Sequence, residues 1–376
     1  MSDSTGSGQN SDSGVVDWGL AVATAKRLAR PGPVVSVGEA RQVVADLREY
    51  AAVSEEHVRG YTKLTAEGEK APVLVVDRPG WVRANADAFA EVLEPLTGRL
   101  AERRTPGFVG GLGSRLTGME AGALLAFLSG KVLGQFDPFW ENGNGRGGRL
   151  LLVAPNVLTV ERELDVDPAD FRLWVCLHEE THRVQFTATP WLRGHFRDRI
   201  QAFLRHTDLD PAAVVGQLRA GAEQLGKALR GEGEGSVLDL VQTPEQKEIL
   251  DQLTAIMSLL EGHADVVMDG VGPEVIPSVE QIRSKFQQRR SGGDDSFGDQ
   301  LLKRLLGLDA KMAQYREGAA FVRAVLDQVG MDGFNRVWES PDTLPGKAEI
   351  TDPGAWVRRV HGPSAENGGR PELPEQ

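Results

Sequence analysis

The sequence contains a single cysteine and no long uninterrupted hydrophobic segment. Cys176 cannot form a disulfide within the chain, which is typical of proteins from a reducing compartment. The most apolar segment, 121–136, is interrupted by glycine and lysine and falls short of the roughly 20 residues that a membrane span needs. The first 14 residues have neither the basic start nor the apolar core of a signal peptide. We therefore expect a cytoplasmic protein without a membrane span.

Basic residues are also in deficit. The chain has 42 lysines and arginines against 54 aspartates and glutamates, and its net charge at pH 7 is -12. This charge repels nucleic-acid phosphates and anionic lipid headgroups, so we expect neither nucleic acid nor a membrane as a partner. Hydrophobic residues make up 40% of the 376 residues. A chain of this length and composition can bury a sizeable core in one large domain or two moderate ones.

Strand-like segments are few compared with helical ones. Residues 1–14 are mostly serine, glycine and aspartate and are predicted to be disordered, and residues 364–376 form a polar tail. Between them, apolar residues recur at the three- and four-residue spacings of amphipathic helices. Only 71–77 and 149–156 have the short, apolar character of strands. The sequence therefore predicts an α+β fold that is mostly helical with a small sheet.

Two of the seven histidines lie four residues apart in LWVCLHEETHRVQF, residues 173–186. Asp167 as N-cap, followed by Pro168, predicts a helix that begins there and carries this segment. Each residue advances about 100° on a helix, so His178 and His182 lie only about 40° apart, where both imidazoles reach one ion. This spacing predicts a shared metal site on one face of the helix.

The residues between the two histidines complete the motif H-E-x-x-H, which binds zinc through its histidines and uses the glutamate as general base. Neutral imidazole is a preferred zinc ligand, and a carboxylate beside the ion accepts the proton of the attacking water. We therefore predict that His178 and His182 bind zinc and that Glu179 is catalytic. The alternative is that both histidines belong to the core and have their hydrogen bonds satisfied within the protein.

A catalytic zinc site needs a third protein ligand and one open position. The extended motif H-E-x-x-H-x-x-G-x-x-H would supply a third histidine from the same helix. It requires glycine and histidine at the positions where this chain has Gln185 and Ala188. The third ligand must therefore come from another part of the chain.

The apolar segment IMSLLEGHADVVMDG, residues 256–270, contains the best candidate for the third ligand. On a regular helix Glu261 and Asp265 share one face, whereas His263 is displaced by about 200° from it. His263 cannot then face the same ion as Glu261. We predict that Glu261 is the ligand and that Asp265 accepts a hydrogen bond from the ring of a zinc histidine, His178. The alternative is a solvated acidic turn.

A hydrogen-bond donor near the metal would stabilise the negative charge that develops on the substrate during hydrolysis. Tyr315, in the segment KMAQYREGAAF, is a candidate for this role. The alternative is a tyrosine that packs along a helix with its hydroxyl at the surface.

HEETH, followed on a later helix by EGHAD, resembles the gluzincin metallopeptidases, in which a glutamate followed four residues later by an aspartate is the third ligand. Longer segments are similar to a zincin-like family of actinobacterial proteins: VDWGLAVATAKRLARPGP, RLLLVAPNVLTVERELDVDPADFRLWVCLHEETHRVQF, LLEGHADVVMD and DPGAWVRRVH. The similarity extends over roughly residues 15–362. Members of that family are labelled zinc metalloproteases or hydrolases associated with biosynthesis of the deazaflavin coenzyme.

The resemblance implies a zincin-like domain over 15–363, with subdomains of about 15–189 and 190–363 flanking a zinc cleft. It implies a single zinc ion, with the same three ligands and the same base that the residue pattern predicts. The separation of 79 positions between His182 and Glu261 is longer than in thermolysin-like peptidases, so we expect additional helices between the two ligand segments.

In zincins an extended peptide pairs with an edge strand, and 149–156, which precedes the helix of the motif, is a candidate for that strand. The alternative is an internal strand paired on both sides. The predicted function is zinc-dependent hydrolysis of a peptide or small amide substrate. Two alternatives remain open: a catalytically silent zinc-binding regulatory protein, and a hydrolase of a small metabolite.

Overall fold

The computed structural model describes residues 16–66, 71–102, 111–141, 147–206, 243–291 and 308–362, and the side chains of all these except 95–102, 111–113, 290–291 and 308–316. The predicted disordered segment 1–14 and the polar tail 364–376 lie outside the described residues.

The described part of the chain is α+β and mostly helical, with one small sheet, as the sequence predicts. In chain order its helices and strands are α1 (Trp18–Leu28), α2 (Val37–Thr62), β1 (Val73–Val76), α3 (Arg78–Glu102), α4 (Gly111–Ser129), β2 (Gly134–Glu141), β3 (Gly147–Val153), α5 (Ala154–Leu164), α6 (Pro168–Ala188), α7 (Pro190–His206), α8 (Pro244–Val271), α9 (Val279–Ser291), α10 (Leu308–Phe334), α11 (Lys347–Thr351) and α12 (Pro353–His361). None of the described helices is long and apolar enough to cross a membrane.

The described residues form two compact units. The first comprises 16–31, 78–102 and 111–131, and it contains α1, α3 and α4. The second comprises the remaining described residues and contains the sheet and all other helices. Helices α6 and α7, which flank residue 189 in the sequence, both belong to this second unit. The predicted arrangement of two subdomains about a zinc cleft stays a prediction.

The sheet has the strand order β1-β3-β2, with β1 parallel and β2 antiparallel to β3. Leu150 of β3 faces Val73 on one side and Phe136 on the other. The apolar residues of β3 are almost completely buried, as expected for a strand covered on both faces. The prediction that 149–156 is an edge strand is therefore wrong, and the alternative of an internal strand is confirmed.

Strand β2 is an edge of the described sheet. This strand was not predicted from the sequence. Pro138 interrupts its sequence and lies at the irregularity in its pairing with β3, between Asp137 and Glu141. Proline lacks the amide hydrogen that a ladder requires and is tolerated at such edges. The buried carboxylate of Asp137 accepts a hydrogen bond from Arg149 of β3 at 3.0 Å, which links the two strands.

Helix α6 begins where the sequence predicts. The Asp167 side chain accepts a hydrogen bond from the amide of Asp170 at 3.0 Å, and Pro168 takes the first helical position. The carboxylate thereby satisfies an amide that has no partner within the helix. The helix ends at Ala188, and Pro190 opens α7 two residues later.

Buried ion pairs fix α6 against α2. Arg183 donates to Glu180 of its own helix at 2.6 Å and to Glu55 of α2 at 2.9 Å. Its third guanidinium nitrogen, Nη1, donates to the carbonyl of Ala71 at 2.8 Å. A buried charge without a partner costs roughly several kcal/mol. Arrangements of α2 and α6 that would separate these groups are therefore disfavoured.

Helices α8 and α10 touch through their backbones. A β-carbon at Gly262 of α8 would overlap the backbone of Gly318, and a β-carbon at Gly318 would overlap the carbonyl of Ser258. Only glycine permits this approach at either position. The contact lies directly beside Glu261, so α10 sets the position of the backbone that carries the predicted third ligand.

Candidate metal centre

His178 and His182 lie one turn apart on the face of α6 that is turned towards α8. Their Nε2 atoms are 3.3 Å apart, and their rings are perpendicular with centroids 4.8 Å apart. Ligand atoms that surround one tetrahedral zinc ion at about 2.0–2.1 Å are separated by roughly 3.3 Å. The two imidazoles are thus spaced as ligands of a single ion would be.

Glu261 of α8 brings a carboxylate to the same point. Its Oε2 lies 3.6 Å from Nε2 of His178, and its Oε1 lies 3.8 Å from Nε2 of His182. The potential ligand atoms of the three residues all lie within 4.8 Å of one another. Among the described residues, no other group of three or more histidine, cysteine or acidic side chains is arranged to hold a metal.

The three side chains are only partly buried. Their exposed fractions are 27% for His178, 13% for His182 and 21% for Glu261. Two imidazole nitrogens and one carboxylate oxygen form the donor set of several catalytic zinc sites, which keep a fourth position for water or substrate. Both the donor chemistry and the access to solvent therefore fit a catalytic zinc ion.

Glu179 lies beside this group but is much more deeply buried, with 8% of its surface exposed. Burial, followed by the charges of Glu261 and Glu180, raises the pKa of its carboxyl group well above the usual range. A cation held by the three candidate ligands would oppose this shift and favour the ionised form. The protonation of Glu179 is therefore coupled to the occupation of the site.

Gln185, which stands where the extended zinc motif has glycine, connects the candidate ligands to the core. It is fully buried, and its Oε1 lies 3.0 Å from Nδ1 of His182. Its Nε2 lies 2.9 Å from the carbonyl oxygen of Leu260 and 3.0 Å from Nδ1 of His263. The signal in the sequence was a polar residue on the buried face of the motif helix, three residues after His182.

His263 is buried and lies away from the three candidate ligands. Its ring centroid is 5.2 Å from that of Phe334 and 5.4 Å from that of Trp338. Burial, followed by the charge of His182, lowers the pKa of His263 to about 3. The ring is therefore neutral at physiological pH and contacts Gln185, consistent with the helix geometry that separates it from Glu261.

Asp265 follows Glu261 by one turn of α8 and is partly exposed. Its Oδ1 lies 3.7 Å from Arg283, which also donates to its backbone carbonyl at 3.2 Å. Nδ1 of His178 lies 3.3 Å from Sδ of Met268. The hydrogen bond between Asp265 and a zinc histidine stays a prediction. Tyr315 falls in the part of α10 whose side chains are not described, and its role also stays a prediction.

Comparison with known proteins places these residues in a wider context. The model of the zincin-like metallopeptidase family matches residues 16–357. A crystal structure of a "putative hydrolase with a novel fold" from Chloroflexus aurantiacus is also similar. It is 32% identical with a TM-score of 0.66, and the alignment covers 92% of this chain and 99% of that chain. No match was found among the curated proteins. The family match extends over most of the chain and includes every candidate ligand, so this chain belongs to the zincin-like metallopeptidase family.

Proposed function

We propose that the protein is a zinc-dependent hydrolase that cleaves peptide or amide bonds. The observation that carries the proposal is the convergence of His178, His182 and Glu261, whose potential ligand atoms all lie within 4.8 Å of one another. The buried carboxyl group of Glu179 beside them supplies a candidate base. Family membership and the similarity to a protein titled a hydrolase support the same class of reaction.

In this proposal the three ligands hold one zinc ion, which would polarise the scissile carbonyl and lower the pKa of a water molecule. Glu179 accepts a proton as the water oxygen bonds to the carbonyl carbon. The same carboxyl group then donates that proton to the leaving nitrogen as the carbon–nitrogen bond breaks.

The substrate is proposed to be a peptide or a small amide, with neither nucleic acid nor a membrane as partner. The support is the chain's net charge of -12, which disfavours both polyanions and anionic lipid surfaces. We also propose a cytoplasmic location, since the one cysteine, Cys176, is buried and free. A link to deazaflavin coenzyme biosynthesis, implied by the family resemblance, is part of the proposal and specifies no substrate.

Two measurements test the proposal. Elemental analysis of the purified protein should give one zinc ion per chain, and His178→Ala or His182→Ala should abolish stoichiometric zinc because two donors do not hold the ion tightly. Mass spectrometry should then detect cleavage of members of a broad peptide library. Full metal content in both alanine variants would contradict the proposed site.

Glu179→Gln is the matched variant for the chemical step. It should keep the zinc and the fold but lose hydrolysis, because an amide cannot accept the proton. Turnover near the wild-type rate in this variant would show that another residue is the base. Stoichiometric zinc without cleavage of any peptide would instead favour a silent zinc-binding protein, or a metabolite hydrolase if incubation with a metabolite extract consumes one component.

A further inference from the structure

The side-chain amide of Gln185 has a defined orientation. One end of the amide lies 2.9 Å from the carbonyl oxygen of Leu260, which can only accept a hydrogen bond. The nitrogen must therefore face α8, and the oxygen must face His182, where it lies 3.0 Å from Nδ1. A backbone carbonyl thus determines which end of the glutamine meets the histidine.

The second amide hydrogen of Gln185 also forms a hydrogen bond. It points to Nδ1 of His263 at 3.0 Å, and the His263 ring is held by the aromatic rings of Phe334 and Trp338. Rotation of the amide would place its oxygen against the Leu260 carbonyl and break both bonds at once. With Gln185 completely buried, no water replaces them at low cost.

We propose that Gln185 is a positioning residue that selects the tautomer of His182. An amide oxygen accepts only a hydrogen, so in the neutral ring of His182 the proton is on Nδ1, and Nε2 offers its lone pair. Nε2 is the atom that lies 3.3 Å from His178 and 3.8 Å from Glu261. Gln185 therefore prepares His182 to bind a metal through Nε2 before any metal arrives. The inference deepens the proposed function and rests on it for the identity of the ion.

A general structural role for Gln185 predicts different results from a role in tautomer selection. Gln185→Met keeps the length of the side chain but removes the acceptor for His182. Gln185→Glu keeps an acceptor oxygen towards His182 and loses the amide donor to the Leu260 carbonyl. If Gln185 selects the tautomer of His182, Gln185→Met loses metal affinity and Gln185→Glu loses mainly folding stability.

Gln246→Met is the control for the loss of a buried glutamine. Gln246 is buried in the same helix as Glu261, and its Nε2 donates to the carbonyl of His206 at 3.0 Å. It lies about four turns, or roughly 22 Å, from Glu261. The variant should lose folding stability without any effect on the metal site.

Competition titrations with a zinc chelator should show about 10- to 100-fold weaker zinc binding in Gln185→Met, the usual cost of losing a partner of a metal-bound histidine. The zinc affinity of Gln185→Glu should stay within about threefold of the wild-type value, and that of Gln246→Met should equal the wild-type value. Cobalt-substituted Gln185→Met should also have an altered visible absorption spectrum, because the ligand geometry changes. Wild-type zinc affinity and cobalt spectrum in Gln185→Met would overturn the proposal.

A second measurement needs no metal. The ring nitrogen-15 chemical shifts of His182 in chelator-treated protein should show a proton on Nδ1 in wild type and a shift towards the Nε2-protonated form in Gln185→Met. A proton on Nε2 in the wild-type protein would overturn the proposal. If wild type binds no zinc but His182 has the expected tautomer, the proposed function fails while the positioning role of Gln185 stands.

Discussion

Gly134 of β2 lies directly against Glu179 of α6. A β-carbon at residue 134 would be 2.5 Å from Cγ of Glu179 and 2.7 Å from its carboxyl carbon. Any other residue at this position would displace the proposed base, so the absence of a side chain at Gly134 helps to place that carboxyl group.

Gly134→Ala should therefore reduce kcat on any substrate that the wild type cleaves by at least about tenfold, because a small displacement of a catalytic group is costly. Zinc content should be unchanged, since none of the three candidate ligands is involved. The control is Gly194→Ala in α7, where an added methyl group meets nothing within 4 Å. Wild-type activity in Gly134→Ala would show that Glu179 tolerates a shift or is not the base.

The residues of α8 should differ in their effect on zinc binding. Glu261→Ala removes one of three donors and should weaken binding severely. His263→Ala should leave zinc nearly stoichiometric, because Gln185 separates its ring from His182. Asp265→Ala should cost roughly 10- to 100-fold if its carboxylate orients His178 as the sequence predicts. Chelator competition on the three variants measures this order.

A reversed order in that experiment, with His263→Ala the most damaging and Glu261→Ala mild, would exclude Glu261 as the third ligand even if zinc is bound.

The pH dependence of stability should reveal the buried His263. Its pKa is about 3 in the folded protein against 6.5 for an ordinary histidine, so the unfolded chain binds the additional proton between these values. The contribution of His263 to the free energy of unfolding is fully present above about pH 6.5. As the pH falls towards 3, this contribution is lost at up to about 1.4 kcal/mol per pH unit.

Urea unfolding of the metal-free protein at several pH values measures this slope. His263→Gln provides the comparison, because it removes the titrating group and retains an acceptor for Gln185, while all other titrations are common to both proteins. Equal slopes for the two proteins between pH 6.5 and the onset of acid unfolding would contradict the assignment.

The backbone contact between α8 and α10 should be intolerant of any side chain. Gly318→Ala should lower the free energy of unfolding by about 3 kcal/mol or more, because the methyl group has no space and the helices must separate. It should also weaken zinc binding, since Glu261 is adjacent to the contact. Gly60→Ala in α2, where a methyl group meets nothing within 4 Å, should be neutral or slightly stabilising. Denaturant unfolding and chelator competition test both effects.

The local part of the site was predictable from the sequence. Helical spacing places His178 and His182 on one face, and the cap at Asp167 marks where their helix begins. The same rule separates Glu261 from His263 on α8. These inferences need only the period of an α-helix, because each concerns residues within a few turns of one another.

The remaining features depend on pairings between distant segments. The contact of Gly134 with Glu179 arises from β2, whose proline and polar residues gave no strand signal. The role of Gln185 arises only when α8 brings the Leu260 carbonyl alongside it. An apolar run such as that of β3 is compatible with an edge or a central strand, so its position depended on partners that periodicity does not specify.

The division of the candidate ligands between α6 and α8 has a consequence for the synthesis of the protein. His178 and His182 leave the ribosome well before Glu261, and at about 5–20 residues per second the 79 positions from His182 to Glu261 take roughly 4–16 s. During this interval the nascent chain carries two imidazoles without the carboxylate, and the Leu260 carbonyl that orients Gln185 has not been made. Under the proposed function, metal loading is then a late step of synthesis, because the third ligand and the carbonyl that orients Gln185 are both made after the two histidines.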